Sequence, residues 1–400
     1  MRILFVNTFY YPNMQGGAEQ SVKLLAEGLY RNGNQVAVYC ADSKDGKNKV
    51  EEINGIRVYR CTTGKFNLFR YSYEKSKVGK LEKITQKLYT YYNSVAEKDF
   101  IRVCGDFKPD VIHTNTLYGI PCTVWKAAKK KGIPVLHTIR DTAIISSVQY
   151  GHKINPIIEK FHRLYMRYYS AFAAGVTAPS EYTLSTSLAV GSFKNAVVKK
   201  CVFNSVELNP TELQAAVAEK KQRTSKHIKF MYAGRLVPIK GIEHMIAAFE
   251  KMKYQDCELF ICGGGEMQPY VEMKAKENPK IVYCGKLNNK QLSDKYRECD
   301  VLIVPSDWPE PFGRVVIEGN KYGMPVIATR CGGIPEIIGT AKGGVLYQAG
   351  NVDELAEKMD YFTDRCVYNA YLDSIIKNLD IYSIDKQIAA FEKIYSRLCL

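Results

Sequence analysis

Along the chain, short apolar runs alternate with stretches whose apolar positions recur every three or four residues. Residues 2–7 (Arg-Ile-Leu-Phe-Val-Asn) read as a buried strand, and helical periodicity follows over 18–31, stopping at Gly33. Further strands are predicted at 35–41, 111–113, 134–139 and 175–178. The rhythm restarts near residue 228, with strands at 228–233, 258–262, 281–284, 301–305 and 325–329 and an amphipathic helix over 241–253. Strand, loop, helix, strand is the pattern of parallel sheets with right-handed crossovers. Its recurrence predicts two doubly wound α/β domains, the first over 1–205 and the second over 206–379. The polar stretch 210–225 lies at the join as a linker or peripheral helix, and a last helix begins near 380. Such sheets bind ligands at the carboxyl ends of their strands. Two facing sheets would place the main site in the cleft between them.

Composition narrows the class. The chain has 400 residues, 46% hydrophobic and 24% charged, which excludes disordered and collagen-like proteins. No run reaches the roughly 18 apolar residues that span a bilayer. The first apolar run turns polar at Asn7, too early for a signal peptide. Twelve cysteines are scattered without a C-x-x-C pair, and the six histidines show no metal-ligand spacing. This usage predicts a reduced, cytoplasmic protein with no metal.

The net charge of +15 is unevenly placed. Residues 1–205 hold 30 Lys and Arg against 15 Asp and Glu, whereas residues 206–400 hold 26 of each. The first half therefore carries the whole excess and is expected to meet something anionic. Two stretches within it mix aromatics with lysines. One is 66–100, with Phe66, Phe69, Arg70, Tyr71, Tyr73, Tyr89, Tyr91 and Tyr92. The other is 153–169. Each reads either as ordinary amphipathic helices with a solvated basic face or as an interfacial surface for anionic lipid.

Three segments carry candidate chemistry. Gly16-Gly17-Ala18-Glu19 follows the first strand and opens the first helix, where backbone amides and the helix dipole favour an anion. It is not a G-x-G-x-x-G dinucleotide fingerprint. Gly234-Arg235 and Lys240-Gly241 end a strand with two cations in one loop, a bidentate guanidinium and a mobile ammonium suited to a diphosphate. The third, residues 305–318, joins a strand to a helix through Glu310-Pro311-Phe312-Gly313-Arg314, with Glu318 on the helix. A loop carboxylate there could accept hydrogen bonds from sugar hydroxyls and a helix carboxylate two from a ribose diol, the plain alternative being a helix-start acid and a solvent-facing one. Amides at the helix start face a phosphate. Glycine turns at Gly263-Gly264-Gly265 and Gly332-Gly333 accompany them.

These motifs, with Gly323-Met324-Pro325-Val326-Ile327-Ala328 and Gly332-Gly333-Ile334-Pro335-Glu336, resemble those of retaining, nucleotide-sugar-dependent glycosyltransferases of family four (group 1). The resemblance covers nearly the whole chain and is strongest over 228–340. It implies the GT-B fold, two Rossmann-like domains facing across a cleft. A C-terminal helix over 380–400 would cross back to the first domain, with hinges near 205–210 and 375–382.

In that reading Arg235 and Lys240 clamp the donor diphosphate, Glu310 contacts the donor sugar and Glu318 holds the ribose. Gly234, Gly265, Phe312, Gly313 and Arg314 line the donor pocket, and Gly17 brings an amide to the phosphate. The acceptor side would hold Gly16, His113, Arg140 and Asp141. The resemblance further implies no metal, no cofactor beyond the nucleotide sugar (UDP favoured), and retention of anomeric configuration. It suggests polysaccharide, glycolipid or lipid-linked oligosaccharide synthesis at the cytoplasmic membrane face. The basic first half then points to an anionic acceptor, or to the membrane that carries it, rather than to nucleic acid.

Two positions depart from the family's pattern. Arg140-Asp141 stands where His-Asp is usual, and Arg140 would contact an anion or pair with Asp141. Asn204-Ser205-Val206-Glu207 replaces Asn-Gly-Val-Asp. A sugar-nucleotide epimerase on the same fold and a basic nucleic-acid-binding protein are the alternatives. The first lacks cleft acid–base residues, and the second lacks a recognised module.

Overall fold

A computed structural model gives the fold and describes residues 1–14, 16–62, 79–147, 155–223 and 225–400. Phe66, Phe69, Arg70, Tyr71 and Tyr73, and the start of the 153–169 stretch, lie outside the described residues. The chain divides into two compact units, Met1–Ser205 with Ile384–Leu400, and Val206–Ser383.

In the first unit, β1 (Arg2–Asn7) leads to α1 (Gly17–Arg31), β2 (Gln35–Cys40), β3 (Lys49–Ile53) and β4 (Ile56–Arg60). Next come α2 (Lys80–Tyr89), α3 (Ser94–Phe107), β5 (Val111–Thr114), α4 (Thr123–Lys130) and β6 (Val135–Thr138). The series ends with α5 (Pro156–Ser170), β7 (Gly175–Ala178), α6 (Glu181–Ala189) and β8 (Val198–Cys201). Among the described residues the sheet has the order β3-β4-β2-β1-β5-β6-β7-β8. Every neighbouring pair is parallel except β3 and β4, an antiparallel hairpin. Its turn is Asn54-Gly55, both residues at positive φ, the two-residue connection that matches strand twist.

Alternation along β1 divides the core. Leu4 and Val6 face a cluster with Tyr39, Ile112, Trp125 and Phe193. Ile3 and Phe5 face another with Val22, Leu25, Val38 and Phe391.

The second unit runs α7 (Pro210–Gln222), β9 (Ile228–Ala233), α8 (Ile242–Lys251), β10 (Cys257–Cys262), α9 (Gln268–Glu277), β11 (Ile281–Gly285) and α10 (Asn289–Glu298). It continues with β12 (Val301–Val304), α11 (Arg314–Lys321), β13 (Val326–Thr329), α12 (Ile334–Ala341), β14 (Gly344–Tyr347), α13 (Val352–Tyr361) and α14 (Arg365–Asn378). Its sheet is parallel throughout in the order β11-β10-β9-β12-β13-β14. The polar stretch after residue 209 is a helix of this unit. Asn209 caps it by accepting from the amides of Thr211 and Glu212. The buried Lys220 donates to the carbonyls of Arg297 and Cys299, binding α7 to the end of α10.

The last helix, α15 (Ile384–Leu398), begins four residues later than the sequence pattern gives, because residues 379–382 form a 3-10 turn within the second unit. It belongs to the first unit. Its Ile388, Phe391, Ile394 and Tyr395 enter the core over α1. Contact is close at Gly28, where a Cβ would press on Ile388. Glu392 accepts hydrogen bonds from the side-chain amides of Asn32 and Asn34.

Two imidazoles are buried on opposite faces of the first unit's sheet, His113 against Phe391 and Tyr395 and His137 against Trp125 and Phe193. Desolvation, with Arg140 adding to it, pushes His137 down to about 3, and His113 is likewise held well below the ordinary histidine range. The unfolded chain therefore binds protons near pH 6.5 that the folded chain refuses. Stability is full above that pH and falls as pH drops toward the folded value.

Phe391→Ala is expected to destabilise the first unit by about 3–5 kcal/mol in urea denaturation. The unfolding midpoint of that unit is expected to fall as pH is lowered from about 7 to about 4, with a shallower slope in His137→Gln. A slope unchanged by the substitution would contradict the buried neutral imidazole.

Candidate active site

The connectivity of each sheet marks where a ligand belongs. In the second unit β9 turns toward β10 on one side while β12 leads to β13 on the other. The switch point lies between β9 and β12, and the crevice beyond their carboxyl ends is the binding position of such sheets. The loop after β9 carries Arg235 and Lys240, and the loop after β12 carries Ser306 and Glu310.

Four backbone contacts hold these loops together. Gly241 has φ +67, and a Cβ there would overlap the Pro305 carbonyl. A Cβ on Gly263 would overlap the Gly234 carbonyl, one on Gly265 that of Leu236, and one on Gly332 the backbone of Glu310. All four glycines have positive φ, so conformation and space both require glycine. Hydrogen bonds reinforce the set. Asp307 N donates to Ile239 O at 3.0 Å and Gly333 N to Glu310 O at 2.8 Å. The carboxylate of Asp307 meets His244 Nδ1 at 3.0 Å.

Within this frame the Lys240 ammonium forms an ion pair with Glu310 Oε1. The same oxygen accepts from Ser306 Oγ at 2.8 Å. Both charged side chains are about one-fifth exposed. The pair is a finding beyond the sequence, which assigned the two residues to different parts of a donor. Arg235 is oriented by Tyr232, whose hydroxyl donates to the Arg235 carbonyl at 2.8 Å. Tyr232 sits inside the periodic pattern of β9, so the sequence marked it as core alone.

Gly313, at φ +90, caps α11. From the first turn of that helix Arg314 Nε donates to Glu318 Oε1 at 2.7 Å. Arg314 is thus a side-chain partner of Glu318, a role that backbone lining did not anticipate. Phe312 is buried, its ring 6.1 Å from that of Tyr382, and anchors the loop.

The first unit has its own switch point, between β1 and β5. After β1, Gly16 precedes α1 in an extended conformation. Its amide is engaged by Glu19 Oε2 at 3.0 Å, and Gly17 opens the helix. Burial raises the Glu19 carboxyl above its usual range. Arg140 follows β6, and its guanidinium donates to Asn115 Oδ1 and Asn204 Oδ1, both at 2.7 Å. Asp141 accepts from the Ala143 amide at 2.9 Å, and desolvation raises its pKa.

Gly16, Arg140 and Asp141 therefore lie in loops that follow β1 and β6, and Gly17 is the first residue of α1. His113 does not belong with them. It is fully buried, with Nδ1 bound to Tyr395 Oη and Nε2 to Thr138 Oγ1, both at 2.6 Å. Its expected acceptor-side placement is corrected to a core position, because both ring nitrogens are used inside the fold. Among the described residues no group of three or more His, Cys, Asp or Glu side chains is disposed to hold a metal ion.

Similarity to known proteins gives the family. Residues 214–373 match the family described as glycosyl transferases group 1, and residues 16–198 match the glycosyl transferase 4-like domain. The chain belongs to the group 1 glycosyltransferases and has the GT-B fold. It is 30% identical over 349 residues to a 42.6 kDa protein in the cps region of Klebsiella pneumoniae, covering 84% of this chain and 87% of that protein. It is 24% identical to a GDP-mannose-dependent alpha-mannosyltransferase of Mycobacterium tuberculosis, over 88% and 85% of the two chains. Among solved structures, sucrose-phosphate synthase from Thermosynechococcus elongatus aligns with a TM-score of 0.78 at 18% identity, over 99% and 98% of the chains. Anabaena HepE in complex with UDP and glucose aligns with a TM-score of 0.69 at 18% identity, over 98% and 99%.

Gly241→Ala is expected to lower the melting temperature of the second unit, since the left-handed backbone alone costs about 1–2 kcal/mol and the Pro305 carbonyl must also move. Gly339→Ala, in open space on α12, is the control and is expected to hold or raise it. Equal melting temperatures for the two variants would contradict the backbone packing described.

Proposed function

We propose that this glycosyltransferase moves a sugar from a nucleotide-diphosphate donor to a sugar or lipid-linked acceptor, with retention of anomeric configuration and without a metal. The observation that carries the reading is the convergence of Arg235, Lys240, Ser306 and Glu310 on one switch point, with Arg314 and Glu318 at the start of α11. UDP is the first nucleotide to test. Anabaena HepE was solved with UDP-glucose and an Arabidopsis starch synthase with ADP. The relative in the cps region supports a place in polysaccharide-related synthesis, and the basic first unit supports an acceptor presented at the cytoplasmic membrane face.

The chemistry follows from charge. As the bond from the anomeric carbon to the diphosphate oxygen breaks, negative charge grows on the leaving group. Arg235 and Lys240 would stabilise it, and a fixed cation avoids the reorganisation that water requires. Lys240 first has to exchange Glu310 for phosphate, which frees the Glu310 carboxylate to accept hydrogen bonds from donor hydroxyls. A departing phosphate oxygen would take the acceptor proton, so that attack occurs on the face the diphosphate leaves. Glu318 would receive the ribose diol, its other oxygen held by Arg314. In the first unit Gly17 would offer an amide to phosphate. Arg140, splinted by two asparagines, would offer a cation where the family has an imidazole.

Lys240→Ala and Glu310→Ala are each expected to lower turnover about 10²- to 10³-fold, read as nucleotide release from a panel of nucleotide sugars, with unchanged circular dichroism. Near-normal turnover in the double variant would refute the assignment.

A further inference from the structure

Helix α5 is apolar on its outward side as well as toward the core. Inward, Met166, Tyr165 and Tyr169 pack on the core, and the polar groups among them are tightly bonded. Glu159 accepts from the Ser147 amide at 3.0 Å and the Ser147 hydroxyl at 2.9 Å. His162 Nε2 donates to the Ala143 carbonyl at 2.7 Å and Nδ1 accepts from the Tyr91 hydroxyl at 3.0 Å. Ser170 Oγ accepts from the Phe193 amide at 2.9 Å. These bonds fix the rotation of the helix. Its outward side is apolar. Ile157 is 79% exposed, and Ile158, Phe161, Leu164 and Tyr168 each stand more than half exposed. An apolar row turned to water is rare on a monomeric surface and marks an interaction site.

The charges around this row are mainly basic. Lys160, Arg163 and Arg167 flank it on α5, where the single acid, Glu159, is turned inward and pairs with Arg163 at 3.2 Å. Neighbouring α4 holds no acid and carries Lys126, Lys129 and Lys130. Lys126 donates to the Tyr168 hydroxyl at 2.9 Å, and Lys126 and Lys129 lie over the Phe172 ring. A groove of about 430 Å³ opens beside them, lined by Tyr92, Ile101, Tyr169, Lys126, Lys130 and Lys131, with Glu97 its acidic member.

We infer that the α4–α5 face docks the protein on an anionic lipid surface, with Ile157, Phe161 and Leu164 entering the headgroup–acyl boundary and the surrounding lysines and arginines meeting lipid phosphates. Apolar side chains at the level of cations, with the acid withdrawn, fit a lipid interface. A protein partner of ordinary composition would instead present both signs of charge to be matched. Docking extends the proposed function by naming the surface that meets the membrane. It rests on that reading for its purpose but not for its measurement, which needs no sugar nucleotide.

The test is sedimentation of the full chain with phosphatidylcholine vesicles, with and without phosphatidylglycerol. Wild type is expected to pellet with the anionic vesicles and to dissociate as salt is raised. The double variant Phe161→Asp/Leu164→Asp is expected to lose at least about tenfold in partitioning with an unchanged melting temperature. Lys130→Gln/Lys160→Gln is expected to lose binding in proportion to the charge removed. Donor hydrolysis in solution should be unaltered in both variants, so failed docking and a failed transferase reading give separate signals. A lowered melting temperature in the aspartate variant would show that the chain covers this face itself and overturn the proposal. Equal binding to neutral vesicles, or a wild-type dimer that the aspartate variant dissociates, would overturn it as well.

Discussion

The candidate site of the second unit depends on backbone lying directly against backbone. Gly241 meets the Pro305 carbonyl, Gly263 that of Gly234, Gly265 that of Leu236, and Gly332 the main chain of Glu310. A methyl group at any of these points would separate two loops. The contacts join segments that follow β9, β10, β12 and β13, so four turns share one frame. Side chains can then be few, because their positions are set by the main chain beneath them. Lys240 and Glu310 are seventy residues apart in sequence yet meet within this frame.

The charges held there are arranged in neutral pairs. Lys240 pairs with Glu310 and Arg314 with Glu318. Each pair is partly exposed, where water weakens the attraction and the net gain is modest. Such a pair is cheap to open, and a phosphate offers an ammonium more charge than a carboxylate does. Ser306 places a hydrogen bond on the same Glu310 Oε1, a second restraint on the carboxylate beside the ion pair. The first unit solves a different problem. Its Arg140 is held by two neutral amides, which fix the direction of the guanidinium.

Much of this was legible in the sequence because parallel sheets buried on both faces write continuous apolar runs, and glycine turns mark their ends. The strands around Phe5, Met231 and Ile303 and the loops at Arg235 and Glu310 were found that way. The β3–β4 hairpin was missed although Asn54-Gly55 is its turn signal, since Lys49–Ile53 is too polar to read as a buried strand. His113 was placed at a ligand because it ends a strand; nothing local reveals that Tyr395, 282 residues away, claims its ring. The sequence reads α5 as a helix with either a solvated basic face or a lipid-facing one, and cannot choose between them. A polar stripe is assumed to seek water, and here it seeks Ser147, Ala143 and Phe193 instead.

The placement of α15 has a consequence for biosynthesis. All of the second unit is continuous in sequence, whereas the first is interrupted by the 178 residues from Val206 to Ser383. At ~5–20 residues per second a ribosome spends roughly 10–35 s on that interval. Throughout it, the sheet face bearing Ile3, Phe5 and Val38 lacks the helix that carries Phe391 and Tyr395. The half of the protein that is made first is therefore finished last, and the nascent chain carries an open apolar surface while its later half completes its own fold.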